Sequence, residues 1–187
     1  MEIIENKNKL NDLLRGIRSK GYKIGLTPTM GSIHDGHLSL INESRKKNYF
    51  SLVSIFINPT QFNDPLDFKN YPKNKKKDIE KLTTIKCDAV YFPLTKELYP
   101  NGIKSKKTIF KYRDILCDKF RPGHFDGVTT VIKSLFDIVK PEAAYFGEKD
   151  FQQLKLIKEL VIKYLLPTNV IGLPSVRSNN GMSLSSR

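Results

Sequence analysis

Tyr22-Lys23-Ile24-Gly25-Leu26-Thr27-Pro28-Thr29-Met30-Gly31-Ser32-Ile33-His34-Asp35-Gly36-His37 contains, in order, a strand, a glycine-bearing turn and the start of a helix. Tyr22–Leu26 reads as the strand, Thr27–Gly31 is rich in turn formers, and the helix is predicted from about Gly36 to Lys47. His34 and His37 straddle Gly36 where strand hands over to helix, so both rings can face the space above the helix N-terminus. Free backbone N–H groups and the helix dipole favour an anion there, and a glycine lets a purine or phosphate approach the backbone closely. The stretch is an anion site with two titratable donors.

Working outward, Leu10, Leu13, Leu14 and Ile17 recur at helical spacing and Gly21 follows as a C-cap, which predicts an amphipathic helix over about 6–20. Phe50–Ile57 is apolar on both faces, the pattern of a strand central in a parallel sheet. The alternation continues with a helix near 75–85, the strand Ala89–Phe92, and a helix through Val128, Val131, Ile132, Leu135, Phe136 and Val139. The strand Ala143–Phe146, a helix over 151–164 and strands near 168–176 complete it. Such alternation predicts an α/β fold, a Rossmann-like doubly wound parallel sheet with helices on both faces, whose ligands bind at the carboxyl ends of the strands.

At 187 residues with 39% hydrophobic residues the chain can bury one sizeable core, and no Pro/Gly/Ser-rich linker divides it. No apolar run approaches the roughly 18–20 residues of a membrane span, and Met1-Glu2-Ile3-Ile4-Glu5-Asn6 lacks the basic-then-apolar order of a signal peptide, so a soluble intracellular protein is expected. Cys87 and Cys117 form no CxxC and have no paired histidine spacing, which points to ordinary reduced thiols. A net charge of +13 and a pI near 9.7 raise the question of a nucleic-acid partner. The lysines, however, are scattered, and only Lys73-Asn74-Lys75-Lys76-Lys77 and Lys104-Ser105-Lys106-Lys107 form runs. The charge is read as a solvated surface that attracts small anionic substrates.

Gly31 and Gly36 have P-loop spacing, but His37-Leu38 stands where that loop needs Lys-Ser/Thr, and no GxGxxG follows the strand. A Walker-type NTPase and a dinucleotide fingerprint are both excluded. A metal pair would need further Cys, His or carboxylate ligands at suitable spacing, and none is evident. Read alone, the two histidines fit a capping or core role as readily as a catalytic one.

The stretch does not stand alone. Asn58-Pro59-Thr60-Gln61-Phe62, Arg121-Pro122-Gly123-His124-Phe125-Asp126-Gly127, Gly147-Glu148-Lys149-Asp150 continuing to Gln153, and Leu184-Ser185-Ser186-Arg187 follow it in order. The His-x-Gly-His element is similar to that of the nucleotidylyltransferase superfamily, and the motifs together, across essentially the whole chain, resemble the pantothenate synthetase family. The resemblance implies an AMP-forming ligase that joins pantoate to β-alanine through a pantoyl adenylate, with ATP as substrate, Mg²⁺ present, and AMP and pyrophosphate released. It implies a cytoplasmic homodimer with neither nucleic acid nor membrane as partner.

Residue roles follow from the same resemblance. His34, His37 and Lys149 would act on the phosphates, His37 being the family's proton donor. ATP would touch Met30, Gly31, Ser32, Ile33, His34, Asp35, Gly36 and His37. It would also touch Gly147, Glu148, Lys149, Asp150, Val176, Leu184, Ser185, Ser186 and Arg187, with Asp150 on the ribose and Val176 at the adenine edge. Gln61 and Gln153 would hold pantoate, with Met30 and Phe62 against its gem-dimethyl group, and Arg121 would add a cation, with His124 beside it. Asp78 could serve Mg²⁺, although an acidic residue in the first turn of a helix commonly only complements the dipole. In the family a C-terminal lid follows the Ser-Ser-Arg motif, so residues 1–187 are expected to form one ATP- and pantoate-binding Rossmann-like domain without that lid. A simple nucleotidylyltransferase would share the two histidines without needing paired glutamines, and an RNA-binding module would need a basic stripe with stacking aromatics.

Overall fold

The computed structural model describes residues 1–106 and 108–186. Its elements are β1 (Glu2–Ile4), α1 (Lys7–Ser19), β2 (Ile24–Thr29), α2 (Asp35–Lys46), β3 (Phe50–Ile55), α3 (Pro65–Asn70), α4 (Lys75–Thr84) and β4 (Ala89–Tyr91). There follow α5 (Thr95–Leu98), α6 (Leu116–Phe120), α7 (His124–Val139), β5 (Ala143–Gly147), α8 (Phe151–Lys163) and β6 (Asn169–Leu173), with 3₁₀ turns at Pro59–Gln61 and Glu148–Asp150. The six strands form one sheet in the order β1-β4-β3-β2-β5-β6, every neighbouring pair parallel.

The period-2 alternation of strand side chains decides which helices cover which face. Leu52, Tyr91, Ala144 and Phe146 point into the larger core, shared with Leu10 and Leu14 of α1, the apolar row of α7, and Leu154, Ile157 and Leu160 of α8. Their neighbours Val53 and Val90 point the other way, onto Ile41 of α2 and Leu82 of α4. Helices therefore cover both faces, as the alternating sequence predicts, and β3, buried from Ser51 to Ser54, lies in the sheet interior. Gly25 lets α2 close onto the sheet, because a Cβ there would lie 2.0 Å from Ser44 Oγ.

The chain runs from β2 outward through β3 and β4, then returns by α7 to β5 on the opposite flank of β2. In a doubly wound sheet such a reversal leaves a crevice beyond the carboxyl ends of the two strands. Here those ends are Thr29 and Gly147.

Candidate active site

The crevice is a cleft of about 520 Å³. Its first wall is the turn from β2 into α2. Gly31 and Ser32 are both left-handed, at φ 83° and 52°, a combination that bends the chain sharply and that Ser32 adopts under strain. Asp78 of α4 holds the turn: its carboxylate accepts the N–H of Ser32 at 3.0 Å and of Ile33 at 2.7 Å, and the residue is 4% exposed. Lys81 donates to the Ile33 carbonyl from the same helix. Asp78 thus clasps the loop from behind and is absent from the cleft wall, its carboxylate committed to two backbone N–H groups.

His34 is the N-cap of α2, and the two histidines form a reciprocal capping box. His34 Nδ1 accepts from the Gly36 N–H at 3.1 Å and His37 Nδ1 from the His34 N–H at 3.3 Å. Each Nδ1 is therefore a lone-pair acceptor, which fixes both neutral rings as the Nε2–H tautomer. Burial, then the charges of Lys149 and Lys81, lowers the His34 pKa. Burial, followed by His34, Lys149 and Lys81, brings His37 down to about 3. At neutral pH the pair presents two uncharged N–H donors.

The second wall is the turn Pro59–Gln61 docked on α7. Gly127 allows the contact, since a Cβ there would lie 2.4 Å from the Thr60 carbonyl oxygen. Asn58, 1% exposed, donates through Nδ2 to the Gly127 carbonyl at 3.1 Å and to Gln61 Oε1 at 3.0 Å. His124 is buried with Nδ1 2.6 Å from the Gln61 carbonyl, so it braces that backbone where it meets the cleft. Phe62 packs edge-on to Phe68 and Tyr71.

The third wall is Gly147–Gln153, where a 3₁₀ turn leads into α8. Lys149 is exposed and donates to the Leu184 carbonyl at 2.8 Å. That carbonyl belongs to a hairpin-like segment bridged between Arg177 and Ser183, which Ser186 Oγ ties to the Ser32 carbonyl at 3.1 Å.

The structure brings together Met30, His34, Gly36, His37, Gln61, Phe62, Arg121, Gly147, Lys149, Asp150, Gln153, Val176, Leu184, Ser185 and Ser186 on this one cleft. Gly31, Ser32, Ile33, Asp35 and Glu148 are off its wall. Ile33 is 1% exposed in the core against Ile41 and Leu82, with its N–H committed to Asp78. Arg187 lies outside the described residues. Sequence reasoning missed the roles of Asn58 and Tyr71, and read Val128, Val131, Ile132 and Leu135 only as core, although this i, i+3, i+4, i+7 row also forms the apolar side of the cleft. Their helical spacing was the available signal, but it could not say that one edge of the row faces a void.

With neutral N–H donors, a lysine, an arginine, two amides and an apolar wall, the cleft suits an anionic ligand that also carries neutral polar and apolar groups. Among the described residues no group of three or more His, Cys, Asp or Glu could hold a metal ion.

Comparison with known proteins agrees with this geometry. The family model for pantoate-beta-alanine ligase matches residues 2–187. The chain is 44% identical over its full length to a pantothenate synthetase from Sulfurihydrogenibium sp., covering 67% of that protein, and 43% identical to one from Acetivibrio thermocellus, covering 66%. It thus spans about two thirds of the length of these relatives. Among solved structures it is similar to a pantoate-beta-alanine ligase from Francisella tularensis complexed with Beta-gamma ATP and Beta-alanine. The TM-score is 0.94 at 41% identity, covering all of this chain and 71% of that one. A pantothenate synthetase from Thermus thermophilus follows at TM-score 0.91 and 36% identity, covering all of this chain and 66% of that one.

Proposed function

The chain belongs to the pantoate-beta-alanine ligase family, and on that premise we propose that its cleft serves the ATP-dependent condensation of pantoate with β-alanine. The observation that carries the reading is the convergence of the two neutral histidines, Lys149, Gln61 and Gln153 on one cleft at the sheet's reversal point. In the first step a pantoate carboxylate oxygen attacks the α-phosphorus of ATP, the bond to the bridging oxygen breaks, and pyrophosphate leaves. In the second the β-alanine amine attacks the acyl carbon, AMP departs, and the amine loses a proton.

This chain's residues do three things in that scheme. The Nε2–H groups of His34 and His37 stabilise charge that grows on the phosphate oxygens; held by the backbone, they need no reorganisation when the charge appears. His37, held by its Nδ1 contact to the His34 N–H, offers Nε2–H to the phosphates as an oriented hydrogen-bond donor. Lys149 supplies a compact cation, with N–H donors left for phosphate oxygens beyond the one given to the Leu184 carbonyl. Gln61 and Gln153 fix pantoate by its polar atoms while Met30, Phe62 and the α7 row accept its alkyl groups, an arrangement that sets the line of attack.

Asp150 at the ribose, Val176 at the adenine, and Leu184, Ser185 and Ser186 over the phosphates complete the ATP reading. Mg²⁺ belongs to the proposal as companion of the nucleotide: with no ready ligand cluster among the described residues, phosphate oxygens and water would supply most of its shell. A cytoplasmic homodimer is part of the same proposal, and exposed apolar side chains such as Leu116, Phe120 and Phe151 offer it contact surface. The test is exchange of labelled pyrophosphate into ATP. Pantoate-dependent exchange is expected; a folded chain that binds neither ATP nor pantoate and shows no exchange would overturn the reading.

A further inference from the structure

The amide of Gln61 has two faces, one that donates and one that accepts, and the structure decides which of them meets a ligand. The decision begins at the backbone. Asn58 Nδ2 is 3.1 Å from the Gly127 carbonyl, which can only accept, and Asn58 Oδ1 is 3.4 Å from the Thr60 N–H, which can only donate. The Asn58 amide therefore has one allowed orientation. Its Nδ2 also meets Gln61 at 3.0 Å, so the Gln61 atom facing it must be the oxygen. Gln61 is left with its NH₂ group for the cleft.

Tyr99 closes the chain of dependence from the other end. It is 5% exposed, and its hydroxyl lies 2.5 Å from Asn58 Oδ1, where it must donate, and 2.9 Å from Thr60 Oγ1. Thr60 Oγ1 itself lies 3.1 Å from Asn58 Oδ1. Tyr99 does not itself line the cleft and reaches it only through wall residues such as Asn58. We propose that Tyr99 is a positioning residue which, through Asn58, holds the Gln61 amide as a donor-only contact, so that this point of the cleft selects a substrate oxygen that accepts. A hydroxyl or carboxylate oxygen fits there; an ammonium or amide N–H would face a donor across a part-buried contact and is rejected. The inference rests on the assignment of Gln61 to pantoate.

The test is a double-mutant cycle on pantoate and ATP affinities, using Tyr99→Phe, Gln61→Ala and the pair, with thermal denaturation as the check on folding. Tyr99→Phe keeps the ring and removes only the hydroxyl, so Asn58 Oδ1 loses its shortest hydrogen bond. Pantoate affinity is expected to fall roughly five- to tenfold, the scale of one neutral hydrogen bond, with ATP affinity unchanged. In the Gln61→Ala background the same replacement should change pantoate affinity by less than about twofold, because there is no amide left to orient. A residue that merely supported the fold would weaken pantoate in both backgrounds. An equal loss in both, or an equal loss for ATP, or wild-type pantoate affinity in Tyr99→Phe, overturns the inference. If Gln61→Ala itself leaves pantoate binding intact, the assignment of pantoate to Gln61 fails instead. Should Tyr99→Phe not fold, Thr60→Ala removes the other hydroxyl beside the same Asn58 oxygen, and the same criteria apply.

Discussion

Gly127→Ala isolates the contact that carries the side of the cleft proposed for pantoate. Intrinsic preference favours the change, since alanine stabilises a helix interior by about 1 kcal/mol over glycine. The local geometry opposes it. A Cβ at position 127 would lie 2.4 Å from the Thr60 carbonyl oxygen, 2.5 Å from its carbon and 2.8 Å from the Gln61 nitrogen. All three are backbone atoms, so no side chain can swing aside, and α7 must part from the Pro59–Gln61 turn by about 1 Å to restore van der Waals contact. Overpacking of this kind costs about 1–3 kcal/mol, and stretching the 3.1 Å bond from Asn58 to the Gly127 carbonyl adds about 1 kcal/mol. Net of the helix gain, the loss is about 1–3 kcal/mol, or a fall of roughly 3–10 °C in Tm for a chain of this size. The larger effect is positional, because a 1 Å displacement of a substrate-holding group costs on the order of 100-fold. Calorimetric titration of the folded variant should show pantoate binding weakened by about that factor, with ATP, assigned by the proposal to the other two walls, affected little. A variant that binds pantoate with wild-type affinity, or weakens both ligands equally, would refute the reasoning.

Two further outcomes follow. The folded His37 ring resists protonation down to about pH 3, whereas in the unfolded chain it titrates near 6.5, so below 6.5 the unfolded state binds the extra proton. Stability present above pH 6.5 should therefore fall progressively toward pH 3, by on the order of 4–5 kcal/mol from this ring, and urea midpoints across that range should depend less on pH in His37→Gln. Asp78→Ala strands the N–H groups of Ser32 and Ile33 without acceptors, which should cost about 2–4 kcal/mol and sharply weaken ATP, read by denaturation and by nucleotide titration; Asp78→Asn, which keeps one acceptor oxygen, should lose less.

The main elements were legible because each carries its own period. Phe50–Ile55 announces a buried strand and Val128–Val139 a helix without reference to anything distant. β1 was not legible: three residues are too few to show alternation, and it exists because Glu2–Ile4 pairs with Ala89–Tyr91 far along the chain. The short helices α3, α5 and α6 escaped for the same reason. At the site, the residue types were readable but their mutual constraints were not. Asp78 shows as an acidic first-turn residue of α4, and nothing local says that its partners are Ser32 and Ile33. Asn58 shows as a turn former before proline, whereas its role comes from Gly127 and Tyr99.

The reciprocal capping of α2 by its two histidines has a consequence for the protein between turnovers. A pocket built to receive a highly charged polyphosphate would, if lined with imidazolium rings beside Lys149 and Lys81, repel itself whenever it stood empty, in a chain already carrying a net charge of +13. Rings kept neutral chiefly by burial, and held in place by their hydrogen bonds to the helix start, avoid that strain. They do so while still relaying the positive end of the helix outward: each ring accepts a backbone proton at one nitrogen and offers its own at the other. The resting site can thus keep its working shape without a counter-ion to hold it open.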